Sequence, residues 1–264
     1  MKMKKIAGAA AVVPTAVLLA SLNSSPPPAV PNVNVAVTST SAFDDAGAET
    51  TTGPCPTTLA ACPTEGCGGD PALNSLKNRL DAPTDDDAQS WSLARIVKLN
   101  KRSPTGWSKK NTRDVLEDLG EGTPVIIKGW LVNANVSTLE TCNCKVSGTE
   151  NKDFHLNLTP TKPDAKKDPE EAKDEAMDKS VVVEMSPRSR RKEWVLTKLK
   201  ALADVPTYVR VTGWLMFDSA HASFEHMPRA TAWEVHPVTK FEVCVETKTK
   251  CDKGTGWKPL EEAQ

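Results

Sequence analysis

Apolar and polar residues alternate with a period of two along much of the chain from residue 123 onward. The segment 153–159 shows the pattern most clearly, because Phe154, Leu156 and Leu158 are separated by polar residues. Such alternation predicts a β-strand that buries one face and exposes the other. The same reasoning predicts four further strands, at residues 124–132, 180–186, 207–217 and 232–245.

Two of the predicted strands share a motif in which a glycine precedes Trp-Leu. Segment 125–131 contains Gly129 and segment 209–215 contains Gly213, with aliphatic residues at matching positions before each glycine. A glycine inside a strand usually marks a bend or a bulge. The repeat is too short for a duplicated domain, and it indicates two strands that each bend around a small barrel.

The order of the predicted elements resembles a known fold. Trp194, Leu199 and Leu202 recur at helical spacing and predict a helix over 193–202, between the third and fourth strands. Three strands, a helix and two strands resemble the OB-fold, a five-stranded Greek-key barrel that binds oligonucleotides and oligosaccharides. The resemblance covers residues 123–245. It implies a mainly β fold in which the third strand lies between the second and the fifth, with ligands bound on the outer face of the barrel.

Short helices are predicted before the barrel. Asp70 can cap a helix that begins at Pro71, and leucines at helical spacing continue this helix to Leu80. Further helices are predicted near residues 90–99 and 112–119. The chain is therefore expected to contain a small helical extension outside the main core, the barrel and a C-terminal tail, at residues 70–122, 123–246 and 247–264.

The first 22 residues have the composition of an export signal. Three lysines among the first five residues precede an apolar stretch over residues 6–22, which Gly8 and Pro14 interrupt. A membrane-spanning helix needs about 20 predominantly apolar residues, and this stretch is too short and too broken for one. The signal predicts an exported protein, whether periplasmic, on the cell surface or secreted. An uncleaved N-terminal anchor is the alternative, and no later segment predicts a membrane span.

Residues 23–69 are rich in Ser, Thr, Pro and Ala without a sustained period, which predicts a disordered linker. The hydrophobic fraction of the chain, 39%, is low for a wholly globular protein and agrees with a core flanked by disordered ends. The net charge is −1, from 33 basic and 34 acidic residues. This balance excludes a general attraction to nucleic acids or anionic membranes, so that any such attraction requires a local patch.

The sequence contains seven cysteines, an odd number. An exported protein meets an oxidising compartment, so disulfides are expected, and Cys244 and Cys251 are suitably spaced for a local one. At least one cysteine remains unpaired or pairs between chains. A zinc site is a weaker alternative for the three cysteines of the predicted linker, whose spacing fits no standard zinc motif: Cys55, Cys62 and Cys67.

The alternation also predicts which polar residues share a face. In the second predicted strand, Asp153 and His155 lie opposite the apolar residues, and Glu184 does so in the third. In the fifth strand Glu234 and His236 do the same. If the third strand lies between the second and the fifth, these five residues form one continuous outer face. Asp218 and His221, which follow the fourth strand, are expected near the rim of that face.

Two imidazoles and several carboxylates on one face can bind a ligand or a divalent metal such as zinc or manganese. The candidate metal ligands are His155, Glu184, Glu234 and His236. The alternative is a polar face on which His–Glu pairs between strands only stabilise the sheet. Nothing in the sequence matches a Walker loop, a nucleophile elbow, a zincin helix or a dinucleotide fingerprint. We therefore expect a non-enzymatic binding module for an unknown ligand, with a metal-dependent hydrolase resembling a phosphodiesterase or nuclease as the alternative.

A third hypothesis is binding of single-stranded nucleic acid. Such proteins combine a basic groove with aromatic side chains on which bases stack. The chain offers a basic cluster at Arg188, Arg190, Arg191 and Lys192, and indole rings at Trp130, Trp214 and Trp233. However, the alternation that exposes His236 buries Trp233, and carboxylates on the predicted binding face would repel phosphates. This hypothesis ranks below generic ligand binding.

Overall fold

A computed structural model describes residues 53–101, 113–221 and 228–263. The predicted export signal at 1–22 and residues 23–52 of the predicted linker lie outside this part of the chain. Among the described residues, no helix is long and apolar enough to cross a membrane.

The described part of the chain contains seven strands and six α-helices. The strands are β1 Gln89–Trp91, β2 Pro124–Val136, β3 Phe154–Thr159, β4 Val181–Met185, β5 Thr207–Phe217, β6 Trp233–Cys244 and β7 Trp257–Pro259. The helices are α1 Pro71–Lys77, α2 Leu93–Lys98, α3 Asp114–Leu119, α4 Pro169–Asp178, α5 Leu196–Asp204 and α6 Lys248–Asp252.

Five of the strands close into a barrel. The order around the barrel is β2, β3, β4, β6 and β5, and β5 pairs again with β2. The pairs are antiparallel except for β4 and β6, which are parallel. The third barrel strand thus lies between the second and the fifth, and α5 connects the third to the fourth. This is the arrangement of the OB-fold, and the predicted fold is confirmed. Two short strands extend the sheet: β1 lies parallel to β2, and β7 lies antiparallel to β6.

The two strand glycines occupy positions where a side chain would collide with neighbouring atoms. The pairing of β5 with β6 shifts register on both sides of Gly213, where a Cβ atom would lie 2.5 Å from the carbonyl oxygen of Pro237. The predicted irregularity is confirmed there. Gly129 keeps a regular register with β5, and its Cβ would lie 2.9 Å from Cδ1 of Leu93. Its role is therefore close packing of α2 against β2, not a break in that pairing.

The helices before the barrel contribute to its core. Ile96 of α2 and Leu116 of α3 are fully buried in the same apolar cluster as the inward residues of the strands, such as Leu156 and Val211. The expectation that this extension lies outside the main core was wrong. Its apolar residues pack with the barrel side chains in one cluster, which adds to the area removed from water.

The segment 53–69 is ordered, although the sequence predicted disorder up to residue 69. Disulfides join Cys55 to Cys67 and Cys62 to Cys144, so this segment is attached to the loop between β2 and β3. All three of its cysteines are in disulfides, which excludes the zinc alternative. The predicted Cys244–Cys251 disulfide is confirmed. Of the seven cysteines, the one that remains unpaired is Cys142, which is buried.

The residues after the barrel are not a tail. The strand β7 pairs with β6, a disulfide joins α6 to the end of β6, and Leu260 and Ala263 are buried in the main core. The prediction of a C-terminal tail from residue 247 was wrong because short elements without a long periodic pattern give little signal in a sequence.

Candidate functional site

The predicted polar residues meet on one face of β3, β4 and β6. His155 and Glu184 are paired across β3 and β4, and the parallel pairing of β4 with β6 brings His236 within 3.0 Å of Glu184. The predicted grouping of these residues agrees with their placement. The predicted exposure to solvent was wrong: Asp153, Glu184, Glu234 and His236 are each at most 1% exposed.

The face is buried because the chain before the barrel covers it. The helix α1 packs against β6, and the disulfide between Cys62 and Cys144 attaches the preceding segment to the loop after β2. The amide of Asn78 donates to the carbonyl oxygens of Thr64 and Cys142, at 2.8 Å each. We call residues 53–81 the cover. It converts an outer barrel face into an interface between two layers.

His236 lies at the centre of an inner group of carboxylates. Its Nδ1 is 3.0 Å from Oε2 of Glu184 and 3.4 Å from Oε1 of Glu234, and its Nε2 is 3.7 Å from Oδ1 of Asp153. None of these approaches has the geometry of a hydrogen bond. Both ring nitrogens and the three carboxylate oxygens are buried without a hydrogen-bond partner in the described structure. Buried polar atoms without hydrogen bonds are rare in native proteins, and here only ion pairs join the imidazole to the carboxylates.

The other oxygens of the inner carboxylates are anchored. Asn143 donates to Oδ2 of Asp153 at 2.7 Å, and Arg229 donates to Oε2 of Glu234 at 3.3 Å. In each side chain the unanchored oxygen is the one that faces His236. Second-layer contacts of this kind orient the ligands of metal sites.

An outer group adjoins the inner one through Glu184. Its Oε1 lies 3.1 Å from Nε2 of His155, which is also 3.2 Å from Oε1 of Glu140. The second oxygen of Glu140 accepts a hydrogen bond from Lys77 of α1 at 3.1 Å. The two oxygens of Glu184 therefore face two different imidazoles. Sequence reasoning missed Glu140 and Lys77, because neither lies in a strand and they come together only when the cover packs.

Asp218 and His221 lie at the rim, as predicted, and connect to the inner group through an arginine. Oδ2 of Asp218 is 2.5 Å from Nδ1 of His221 and 3.4 Å from the guanidinium of Arg229, which also contacts Glu234. Arg229 is a further member that the sequence analysis did not identify.

Burial and neighbouring charges shift the pKa values of the cluster residues in opposite directions. Burial alone would raise the pKa of Glu184, but His155, Lys77 and His236 hold it well below its ordinary value. Burial and the charge of Glu140 raise the pKa of Asp153 to about 6. Burial alone would lower the pKa of His236, but Glu184 above all raises it to about 10. The carboxylates therefore require positive charge beside them, which protons or a metal ion can provide.

A pocket of about 430 Å³ opens beside the outer group. Lys77, Glu140, His155, His221 and Arg229 line it, together with apolar side chains of α1 and of the loop after β2. The side chains of His155 and His221 are 30% and 41% exposed. The outer group can therefore be reached from solvent, whereas the inner group is sealed.

Replacing His221 with asparagine should weaken the dependence of stability on pH. Asp218 raises the pKa of His221 in the folded protein. The imidazolium therefore stabilises the folded state fully at pH values below the pKa of the unfolded histidine, about 6.5. That contribution is lost as the pH rises through the raised folded pKa. Since His221 is partly exposed, the effect should stay below about 1 kcal/mol. Urea unfolding at about pH 5.5 and about pH 9 measures it; equal losses in the wild type and the variant would contradict the assignment.

The predicted basic cluster divides into two parts. Arg188 donates to the carbonyl oxygens of Cys62, Pro63 and Cys142, and Arg190 donates to those of Lys152 and Glu150. These two arginines therefore hold the cover and the neighbouring loop in place.

The rest of the cluster is exposed. Arg191 pairs with Glu261, and Lys192 lies at the surface. Of the three tryptophans considered for base stacking, Trp233 is fully buried, as predicted, and Arg79 covers Trp214 at 3.4 Å from the ring centre. Trp130 lies partly exposed against Tyr208. The predicted basic groove with stacking rings does not come together at residues 188–192.

No protein-family model matches the chain, and no curated protein matches it. Among solved structures, it is similar to a chain in the crystal structure of yeast Stn1 and Ten1, with 15% identity and a TM-score of 0.33. The match covers 66% of this chain and 72% of that one. The assignment of the OB-fold rests on the strand order and the position of α5, not on this similarity.

Proposed function

We propose that the protein is an exported, non-enzymatic OB-fold binding module that holds a divalent cation, zinc or manganese, in its sealed inner group. Asp153, Glu184 and His236 are the ligands, with Glu234 beside them. The observation that carries the proposal is the convergence of buried polar atoms that have no hydrogen-bond partner. The sequence of residues 1–22 and the three disulfides support export to an oxidising compartment.

The donor set suits such a cation. Asp153, Glu184 and His236 each offer one ligand atom, and these atoms lie within 4.8 Å of one another. An imidazole nitrogen with carboxylate oxygens is a common ligand set for zinc and is compatible with manganese. The inner group, the outer group and the residues at the rim together contain five carboxylates. Only two permanently charged basic side chains contact these carboxylates within the cluster, those of Lys77 and Arg229. If the imidazoles are neutral, negative charge exceeds positive charge in the cluster, and a divalent cation would reduce that excess.

The burial of the ligands supports a non-enzymatic role. Catalytic metal ions keep an open coordination position for water or substrate, whereas structural ions are enclosed by protein. Asp153, Glu184 and His236 are at most 1% exposed, and the cover lies over them. An ion held there would join β4, β6 and the residue before β3, and it would stabilise the folded state by its binding free energy.

The test is the metal content of the purified, disulfide-bonded chain after incubation with zinc or manganese and removal of the excess. We expect about one ion per chain, with a raised melting temperature. The double variant Glu184→Gln/His236→Gln should lose the ion, and the matched control Glu246→Gln/His221→Gln should keep it. A wild-type chain that retains neither metal would overturn the proposal, whatever the stability of the variants.

A metal-dependent hydrolase is the second candidate, and the pocket is the observation that favours it. Glu140, His155 and Glu184 form another group that could hold a metal, and Glu140 and His155 line the pocket. A cation at this outer position would have room for a water molecule and a substrate. Turnover of phosphodiester or ester substrates by the metal-loaded protein, lost in His155→Gln, would support this activity. If the metal-loaded protein turns over none of these substrates, the hydrolase is excluded and the non-enzymatic binding module remains the proposed function.

A further inference from the structure

A row of three aromatic rings lies on β2, β5 and β7, which are not the strands of the carboxylate cluster. Trp130 of β2 is paired directly opposite Tyr208 of β5, and Trp257 of β7 contacts Tyr208 as well. The ring centre of Tyr208 is 5.2 Å from that of Trp130 and 5.7 Å from that of Trp257. Both indoles are partly exposed, whereas Tyr208 is 7% exposed between them. The three rings therefore form one continuous surface.

Basic side chains surround this row. Four of them lie within 5.8 Å of a ring centre: Lys128, Lys162, Arg210 and Lys248. The ammonium of Lys162 is 5.2 Å from the ring centre of Trp130, and the guanidinium of Arg210 is 4.9 Å from that of Trp257. Cations are attracted to the face of an aromatic ring, so the same rings carry positive charge beside their apolar surface. We call the three rings and the four cations the aromatic patch.

The aromatic patch has an excess of positive charge. In the part of the chain that the structure describes, its four cations form ion pairs with two carboxylates, those of Glu242 and Asp252. Glu242 accepts two hydrogen bonds of 2.6 Å from Arg210, and Asp252 accepts one of 2.9 Å from Tyr208. Lys162 is exposed and forms no ion pair with another described residue. Four cations and two carboxylates leave a charge of +2 on this surface, although the whole chain carries −1.

We infer that the aromatic patch binds an acidic polysaccharide, a chain of sugars that carry carboxylate or sulfate groups. Tryptophan and tyrosine rings offer large apolar areas to the C–H faces of sugar rings. The lysine ammonium groups bind anions as point charges, and a polyanion releases counterions when it meets a basic surface. In OB-folds ligands bind on the second and third barrel strands, here β3 and β4, so the aromatic patch is a different surface.

The arrangement of the rings favours sugars over nucleic-acid bases. Successive rings are tilted by 49° and 35° and contact one another, so no gap between them accepts a flat base. A base stacks face to face on an open ring, but Lys162 and Arg210 lie over the two indoles. A sugar can contact a ring with its C–H groups and a neighbouring cation with its acidic group. The choice of a polysaccharide also rests on the proposed function, because an exported protein meets little single-stranded nucleic acid.

The test is affinity electrophoresis of the purified, disulfide-bonded chain through gels that contain polygalacturonate or heparin, with EDTA present. Polygalacturonate supplies carboxylates and heparin supplies sulfates, so the stronger retardation identifies the preferred acidic group. We expect retardation that weakens as salt is added. Trp130→Ala should weaken binding by about tenfold, as the loss of an aromatic anchor commonly does. The double variant Lys128→Gln/Lys162→Gln should weaken it as well and should lower its dependence on salt.

Two control variants remove the same groups elsewhere. Trp214→Ala removes an indole of β5 that Arg79 already covers, at 3.4 Å from the ring centre. Lys192→Gln/Lys200→Gln removes two exposed lysines outside the aromatic patch. Both variants should bind the polysaccharide as the wild type does. Equal weakening by the control and the patch lysines would show attraction to net charge alone and would overturn the inference.

The remaining outcomes separate this surface from the metal site. Retardation in neither gel, or equal retardation in neutral dextran, would overturn the inference. Binding of single-stranded DNA but of neither polysaccharide would assign the surface to nucleic acids and would overturn it too. EDTA removes any ion from the inner group, so binding in EDTA by a chain that retains no zinc or manganese supports the aromatic patch and leaves only the metal site overturned. If Trp130→Ala fails to fold, the lysine variant decides.

Discussion

Replacing Lys77 with methionine should destabilise the protein by about 3–5 kcal/mol, the usual effect of removing one partner from a buried ion pair. Lys77 is 4% exposed, and its ammonium lies 3.1 Å from Glu140. Burial alone would lower the pKa of Lys77, but the carboxylates of Asp218, Glu184, Glu140 and Glu234 hold it well above its ordinary value. Methionine has a similar length and no charge, so the variant keeps the packing and leaves the acids uncompensated.

Urea unfolding at neutral pH measures this loss, and an exposed lysine provides the control. Lys248 pairs with Asp252 at the surface, and Lys248→Met should change the unfolding free energy by less than about 1 kcal/mol. If both variants lose the same small amount, Lys77 does not balance the buried carboxylates. The cluster would then be neutralised by protons on its own members.

Removing the disulfide between Cys62 and Cys144 should have a comparably large effect. It closes a loop of 82 residues, and the chain-entropy relation gives about 4.5 kcal/mol for a loop of that length. The variant is Cys62→Ala/Cys144→Ala, which leaves no additional free thiol. Loss of the bond should also loosen the cover, so amide exchange in α1 should accelerate more than exchange in β5.

The disulfide between Cys244 and Cys251 is the matched control. It closes a loop of only 7 residues, for which the same relation gives about 2.4 kcal/mol. Cys244→Ala/Cys251→Ala should therefore cost less and should leave exchange in α1 unchanged. Equal destabilisation by both pairs of substitutions would show that the cover is held by its hydrogen bonds and charges instead.

The alternation of side chains was sufficient to predict the barrel and the membership of the polar face. In β3 the apolar residues at 154, 156 and 158 point inward, which places His155 on the other side. Sheet geometry then brings this residue beside Glu184. These relations are local, because a strand has a period of two and its neighbours follow from the fold.

The burial of that face could not be predicted in the same way. All five residues of β4, Val-Val-Val-Glu-Met, are buried, which is the signature of a strand covered on both sides. The covering segment has no period, and its contacts join residues far apart in sequence, as Lys77 does with Glu140. Composition suggested disorder for residues 53–69, but disulfides supply the stability that a short segment without a core of its own lacks.

The strand β7 has a consequence for association between copies of the protein. In β6 only Val235 pairs with β4, so the later part of that strand would present free backbone groups to solvent. The strand β7 pairs with residues 242–244 of β6 and ends at Pro259, which has no N–H group to offer. Exposed strand edges are templates for pairing with other chains, and short edges with proline block this. The strand β7 therefore protects this edge of β6 from pairing with the edge strand of another copy.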